Sequence, residues 1–205
     1  MDIQKDNEKQ LKRPAEKDGK AEVQKSTDGE GPLYHRRYFI DLDHVIDSPE
    51  VLTEALKKDI NAFSPQILAT FEKTKGSETE MKVGDEFMVH ITGPWNGPVR
   101  VSEVTPLSFT LVTLNGHLEA GRIKFSFEKH QRGVRFLIES FARSADHIVD
   151  FLYDKVPVVR LAQKEMWIEY CRAVARFATG DIENDDDVQV LTEKRRDGES
   201  VWEEV

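Results

Sequence analysis

The sequence predicts an α+β fold in which a curved antiparallel sheet of six strands wraps around a long C-terminal helix. Three observations predict it. Residues 107–143 hold three runs that alternate apolar and polar side chains: Leu107-Ser-Phe-Thr-Leu111, Ile123-Lys-Phe-Ser-Phe127 and Val134-Arg-Phe-Leu-Ile-Glu139. A period of two buries one face of a strand and wets the other. From Val158 to Phe177 the period lengthens to three and four, the mark of an amphipathic helix of roughly 20 residues and about 30 Å. Two Ser-Pro pairs, Ser48-Pro49 and Ser64-Pro65, follow the first apolar run. A serine N-cap with proline at the first helical position starts a helix, so two short helices are expected after strand one.

The elements follow in order. Strand one spans residues 33–42, with Tyr34, Tyr38, Ile40 and Leu42 on one face. Arg36 breaks that face, which places the strand at an edge or barrel end. Val51, Leu52, Ala55, Leu56 and Ile60 form the stripe of the first short helix; Ile67, Leu68 and Phe71 form that of the second. A polar link runs from Lys73 to Met81. Phe87, Val89 and Ile91 alternate, Pro94-Trp-Asn-Gly-Pro98 turns the chain, and Val99 and Val101 return. Thr105-Pro106 leads into Phe109 and Leu111. The loop 115–121 leads into Ile123, Phe125 and Phe127, and Gln131-Arg-Gly133 into Val134, Phe136 and Ile138. Ser144 is suited to cap a short segment through Ile148, Phe151 and Leu152. After Pro157 the helix stripe reads Val159, Ala162, Met166, Tyr170, Val174 and Phe177, widened by Trp167 and Cys171. Thr179-Gly180 ends it.

Charge divides the chain of 205 residues. Residues 1–32 and 33–180 each carry a net −1, whereas residues 181–205 carry −7. Residues 33–180 are the predicted domain. Residues 1–32 and 181–205 lack patterned apolar residues and are expected to be a disordered charged tail and a disordered acidic tail. No basic stripe marks a nucleic-acid footprint, and no run of 18 apolar residues could span a bilayer. The charged N-terminus lacks the apolar stretch of a signal peptide, so a cytoplasmic location is expected. Cys171 is the single cysteine; it reads as a small buried hydrophobe rather than a reactive thiol.

The order of one strand, two helices, five strands and one long helix resembles the helix-grip fold of the birch-pollen-allergen and steroidogenic-transfer-protein superfamily. The local sequence is more specific. Thr113-Leu-Asn-Gly-His-Leu-Glu-Ala-Gly121, followed by Phe125, is similar to the signature of the family known as domain of unknown function nineteen-ninety. That signature reads Thr-Leu-Pro-Gly-His-Pro-Glu-x-Gly-Glu. Phe136, Ile138, Phe141-Ala-Arg143, Gln163 and Tyr170 continue the resemblance, which spans residues 80–178. Asn115 and Leu118 stand where prolines are usual, Arg122 where glutamate is, and Ala142 where serine is. The resemblance implies the helix-grip fold and brings no established activity or cofactor.

His117 is the best single candidate for chemistry. It lies in a loop between strands, two residues from Glu119. Such a pair can bind a polar group or serve as acid and base; the plainer reading is a loop in which His117 bonds the backbone. The other histidines show no metal-ligand spacing, so no metal is expected. Phe109, Phe125, Phe127 and Phe136 on the strands are expected to face Met166, Trp167 and Tyr170 on the helix. They either wall a cavity or interlock as a dry core. With Gln163, Tyr170 and His117 to orient a ligand, the leading expectation is a binding protein for a small apolar or amphipathic molecule. The alternatives are an enzyme using His117 and Glu119 on a lipid- or polyketide-like substrate, and an interaction module.

Overall fold

Apolar alternation becomes a single antiparallel sheet of nine strands among the described residues. The computed structural model describes residues 21–91, 96–131, 133–145, 157–182 and 187–205, and the side chains of the last helix from Gln163 onward. The strands are β1 (Glu30–Leu42), β2 (Ala69–Lys75), β3 (Glu86–Ile91), β4 (Gly97–Thr105), β5 (Ser108–Thr113), β6 (Glu119–His130), β7 (Gly133–Ser144), β8 (Gln189–Arg195) and β9 (Glu203–Glu204). The helices are α1 (Pro49–Lys58) and α2 (Pro157–Thr179). The sheet order is β2-β3-β4-β5-β6-β7-β1-β8-β9: a meander whose last strand pairs with β1.

The register stacks large side chains on the inner face. Phe109 opposes Phe125, Phe127 opposes Phe136, and Ile40 opposes Phe136 from the other side. Met166, Tyr170, Val174 and Ala178 of α2 close over them, and Leu52 and Leu56 of α1 join the same core. Ser48 caps α1 by accepting the Val51 N–H, with Pro49 in the first turn. Gly180, at φ 72°, ends α2 in the left-handed conformation that only glycine adopts freely.

Four expectations are corrected. The second Ser-Pro pair makes one turn and no helix: the Leu68 and Ala69 N–H groups both donate to the Pro65 carbonyl, and Ser64 donates to Ala69. Phe71 lies on β2, opposite Val89, because Ala69–Lys75 alternates and finds a partner strand. The free edge of β2 is blunted by Asn61, whose side-chain amide bonds both the carbonyl and the N–H of Phe71 at 2.7 Å. Second, the sheet has nine strands rather than six, and β1 is interior, between β7 and β8. Third, both expected tails contribute structure. Val23 bridges Leu114, residues 22–24 pair along the end of β5, and residues 26–28 lie against β6 and β7. Residues 189–195 and 203–204 are strands, although the net charge of −7 over residues 181–205 hides them. β8 is held by backbone pairing with β1 and by Glu193, which bonds Arg37 at 2.9 Å and His35 at 3.2 Å. Fourth, Phe177 is 43% exposed and Ala178 takes the inward position, since a period of 3.6 drifts off a strict alternation of three and four.

Some expectations lie outside the described residues: the start of the Pro94–Pro98 turn, the segment through Ile148, Phe151 and Leu152, and the side chains of Val159 and Ala162. Cys171 is fully buried, and burial pushes its thiol pKa up. No described helix is long and apolar enough to cross a membrane.

The core makes one direct prediction. The Tyr170 hydroxyl is buried with no hydrogen-bond partner among the described residues. Tyr170→Phe should therefore change stability by less than about 0.5 kcal/mol or raise it. Met166→Ala, which empties a buried site on the same stripe, should cost about 2–5 kcal/mol. Urea titration of both variants checks the ranking, and a silent Met166→Ala would contradict the helix register.

Candidate functional site

The inner face changes character where β1, β6 and the first described turns of α2 meet. On β1, Arg36 shares the inward parity of Tyr38, Ile40 and Leu42, so its guanidinium projects under the helix. On β6, Glu119 shares the parity of Ile123, Phe125 and Phe127. The two meet: Arg36 Nη1 lies 3.1 Å from Glu119 Oε1, with only 12% and 14% of their side chains exposed. The other carboxylate oxygen accepts from Gln163 Nε2 of α2 at 3.3 Å.

His117 completes this polar end. The N–H of Glu119 donates to His117 Nδ1 at 2.9 Å, and the Glu119 carbonyl lies 3.1 Å from the same nitrogen. The Glu119 N–H is satisfied when Nδ1 accepts and the Glu119 carbonyl when Nδ1 carries the proton, so the Glu119 backbone engages this nitrogen in either tautomer. Burial pushes the His117 pKa below its ordinary value, and the Glu119 carboxylate opposes this. The loop is pinned from outside by the N-terminal segment. Gln24 Nε2 donates to the carbonyls of His117 and Glu119, both at 3.1 Å, and Thr113 Oγ1 donates to the Gln24 carbonyl at 2.9 Å. Gly116, at φ 97°, supplies the turn that Asn115-Gly116 predicts.

A cavity of about 70 Å³ lies against this cluster. Its walls include Phe71, Val89, Val99, Leu111, Ile123, Met166 and Trp167, and its polar end includes Arg36, His117, Glu119, Ser140 and Gln163. The volume holds a few water molecules or a small group; drug-sized ligand sites are typically 300–1,000 Å³.

The ten expected site residues therefore separate. His117, Glu119, Gln163, Met166 and Trp167 line the cavity. Phe109, Phe125, Phe127, Phe136 and Tyr170 are instead buried against one another, with Phe109 and Phe125 stacked at 4.7 Å and Phe125 at 5.5 Å from Tyr170. They form dry core. The imidazole of His117 is tied to the backbone of Glu119, and the carboxylate oxygens go to Arg36 and Gln163. Arg36 and Ser140 were missed by sequence reasoning. Arg36 carried a signal, a cation interrupting an apolar face, that reads equally well as a strand edge. Arg122, where the family signature has glutamate, lies over the Phe141 ring on the outer face, 5.3 Å from its centroid. No group of three or more metal-binding side chains occurs among the described residues.

The sequence matches the family described as "Domain of unknown function (DUF1990)" over residues 20–173. The chain belongs to this family. The family match starts well before residue 80 and takes in β1 and the segment that pins the His117 loop, so Arg36 and Gln24 fall inside it. No curated protein matches the sequence. Two of the matching solved structures illustrate the fold. One is the di-domain ARO/CYC StfQ from the steffimycin biosynthetic pathway, at 11% identity and TM-score 0.51, covering 75% of this chain and 52% of that one. The chain thus spans about half of that di-domain protein. The other is the hypothetical protein jhp0584 from Helicobacter pylori, at 12% identity and TM-score 0.50, covering 69% of this chain and 86% of that one. At these identities the likeness is one of fold, and it is the helix-grip fold.

Two predictions arise at His117. A Cβ on Gly97 would lie 2.1 Å from His117 Cδ2, so Gly97→Ala should displace the ring while the sheet persists. The imidazole proton resonances report it; unshifted resonances would mean that the ring does not rest on Gly97. The second concerns pH. With its folded pKa lowered, His117 takes up a proton more readily in the unfolded chain. Its contribution is intact above the ordinary histidine value, about 6.5, and is lost as pH falls below it. Between about pH 7.5 and 5.5, wild type should lose more stability than His117→Asn in urea titrations. Equal losses would show that His117 protonates as easily folded as unfolded.

Proposed function

We propose that this protein binds a small apolar or amphipathic molecule in the cavity between the sheet and α2. One observation carries the reading: an apolar cavity ends on a buried, charge-paired polar cluster built from three separated elements, β1, β6 and α2. A dry core gains nothing from an inward arginine and glutamate, since desolvating two charges costs more than packed aliphatic side chains would. Such a pair is explained if it presents hydrogen-bonding geometry to a ligand. The fold shared with StfQ, a protein of a biosynthetic pathway, is compatible with a small organic ligand. Acid–base catalysis by His117 and Glu119 is the weaker reading, because Nδ1 is engaged by the backbone.

Trp167 lies on the cavity wall and gives a direct readout. The full chain is titrated with a panel of small alcohols, phenols and short carboxylic acids while tryptophan fluorescence is followed, with Trp167→Phe as control. Saturable quenching that vanishes in the control is expected. A panel that leaves Trp167 unchanged at millimolar concentration would remove the binding assignment.

A further inference from the structure

We infer that the outer face of the sheet holds a second site, which takes a small carboxylate with an apolar or aromatic body. Arg122 of β6 carries the inference. In the sheet register it lies between Val112 of β5 and Phe141 of β7. Its guanidinium rests over the Phe141 ring, 5.3 Å from the centroid. Four other arginines of that face, Arg37, Arg100, Arg135 and Arg143, each hold a carboxylate, at 2.9, 2.8, 2.6 and 2.5 Å. The Arg122 guanidinium has no hydrogen-bond or ion-pair partner among the described residues. Two carboxylates in neighbouring positions are engaged elsewhere: Glu139 with His35 at 2.7 Å, and Glu103 with the Thr110 hydroxyl at 3.3 Å.

A hollow of about 320 Å³ opens beside Arg122, at the lower end of the range for small-molecule sites, about 300–1,000 Å³. Val112 and Phe141 line it from the sheet, Leu33 from β1, and Val23 and Lys25 from the N-terminal segment. That segment is held against β5 by the Val23–Leu114 bridge and by the Gln24 N–H, which donates to the Thr113 carbonyl at 2.9 Å. Lys25 is a second cation of the hollow and forms no side-chain ion pair among the described residues; no acidic side chain lines it. An arginine fork binds a carboxylate through two parallel charge-assisted bonds, and stacking on a ring orients the fork before a ligand arrives. An exposed ion pair contributes little by itself. The ligand therefore needs an apolar body as well, to cover the half-exposed Val23, Leu33 and Val112. The cavity under α2 lies on the opposite face of the sheet, so this inference stands apart from the function proposed above.

The test uses 2-naphthoate and 2-naphthamide, which share a ring system and differ in charge. Each is titrated into the full chain at about pH 7.5, where the acid is ionised. The amide resonances of Val112, Arg122 and Phe141 are followed together with the Trp167 indole N–H. 2-Naphthoate should shift the first three and bind at least about fivefold more tightly than the amide, the scale of an exposed ion pair. Arg122→Gln, at an exposed position, should remove that preference, and salt at about 0.5 M should shrink it in wild type. Acetate, which has the charge without the body, should bind more weakly than 2-naphthoate; equal affinity would overturn the class of ligand. Equal affinity for acid and amide, or a folded Arg122→Gln that keeps the preference, would overturn the site. So would a response at Trp167 with none at Phe141, which would put the acid in the cavity, and so would the absence of any shift at millimolar acid. If Arg122→Gln does not fold, the salt dependence of the wild-type preference decides.

Discussion

Deleting residues 187–205 should lower the melting temperature by more than about 10 °C. For a protein of this size 1 kcal/mol moves the midpoint by roughly 2–4 °C, so the expected loss is about 3 kcal/mol or more. Three losses combine. β8 pairs with β1 from Leu33 opposite Arg195 to Phe39 opposite Gln189. Each backbone bond contributes about 1 kcal/mol net, and the freed chain regains part of that as entropy. Glu193 leaves Arg37 and His35, and Asp197 leaves Arg143, which it holds at 2.5 and 2.8 Å. Trp202 leaves the aromatic group on the outer face, where it lies 5.7 Å from His35, itself stacked on Phe141 at 4.1 Å. The truncation also bares the edge of β1, a long strand in the body of the sheet. The shortened protein should therefore self-associate, an edge strand being a template for pairing. Calorimetry and sedimentation test both effects. A monomer melting within about 3 °C of the full chain would show that β8 is an ornament on an already complete sheet.

That segment also shows where sequence reading stops. A strand is legible when one face is buried, because burial imposes alternation; β3 to β7 were readable for that reason. β8 lies beside β1 with its side chains half in solvent, so its stability resides in backbone bonds and ion pairs that leave no hydrophobic period. The acidic residues on either side of it, Asp185–Asp187 and Glu203–Glu204, then make the whole segment read as a tail. The same logic explains residues 22–28, which hold the His117 loop through a single glutamine amide and a few backbone bonds. The helix α2 was legible from its period, and the loop 115–121 from its glycine and histidine. Arg36 was visible as an anomaly and not as a site residue, because its partner Glu119 lies 83 positions away. Nothing local in the sequence marks such a pairing. The five aromatic residues expected as cavity walls illustrate the converse. Sequence assigns a side chain to the inner face; whether that face meets another side chain or a void depends on packing at the scale of a methyl group.

Phe125→Ala should be among the most destabilising single substitutions, costing about 3–5 kcal/mol. Phe125 is 1% exposed and is the hub of the aromatic core. Its ring stacks on Phe109 at 4.7 Å, meets Tyr170 at 5.5 Å and receives Trp167 edge-on at 5.7 Å. It also anchors two strand pairings, opposite Phe109 and opposite Ile138. These neighbours come from β5, β7 and α2, so truncation leaves a gap that no single element can move to fill. Trp167 lies on the wall of the existing cavity, which places the new gap next to the old one. The variant should consequently gain affinity for benzene or a similar apolar probe, as an engineered apolar cavity does. Denaturant titration measures the cost, and the benzene dependence of the melting temperature measures the void. If Phe125→Ala loses less than about 1 kcal/mol, its ring faces a space that solvent or ligand already occupies. The division between dry core and cavity would then have to be redrawn with Phe125 on the cavity side.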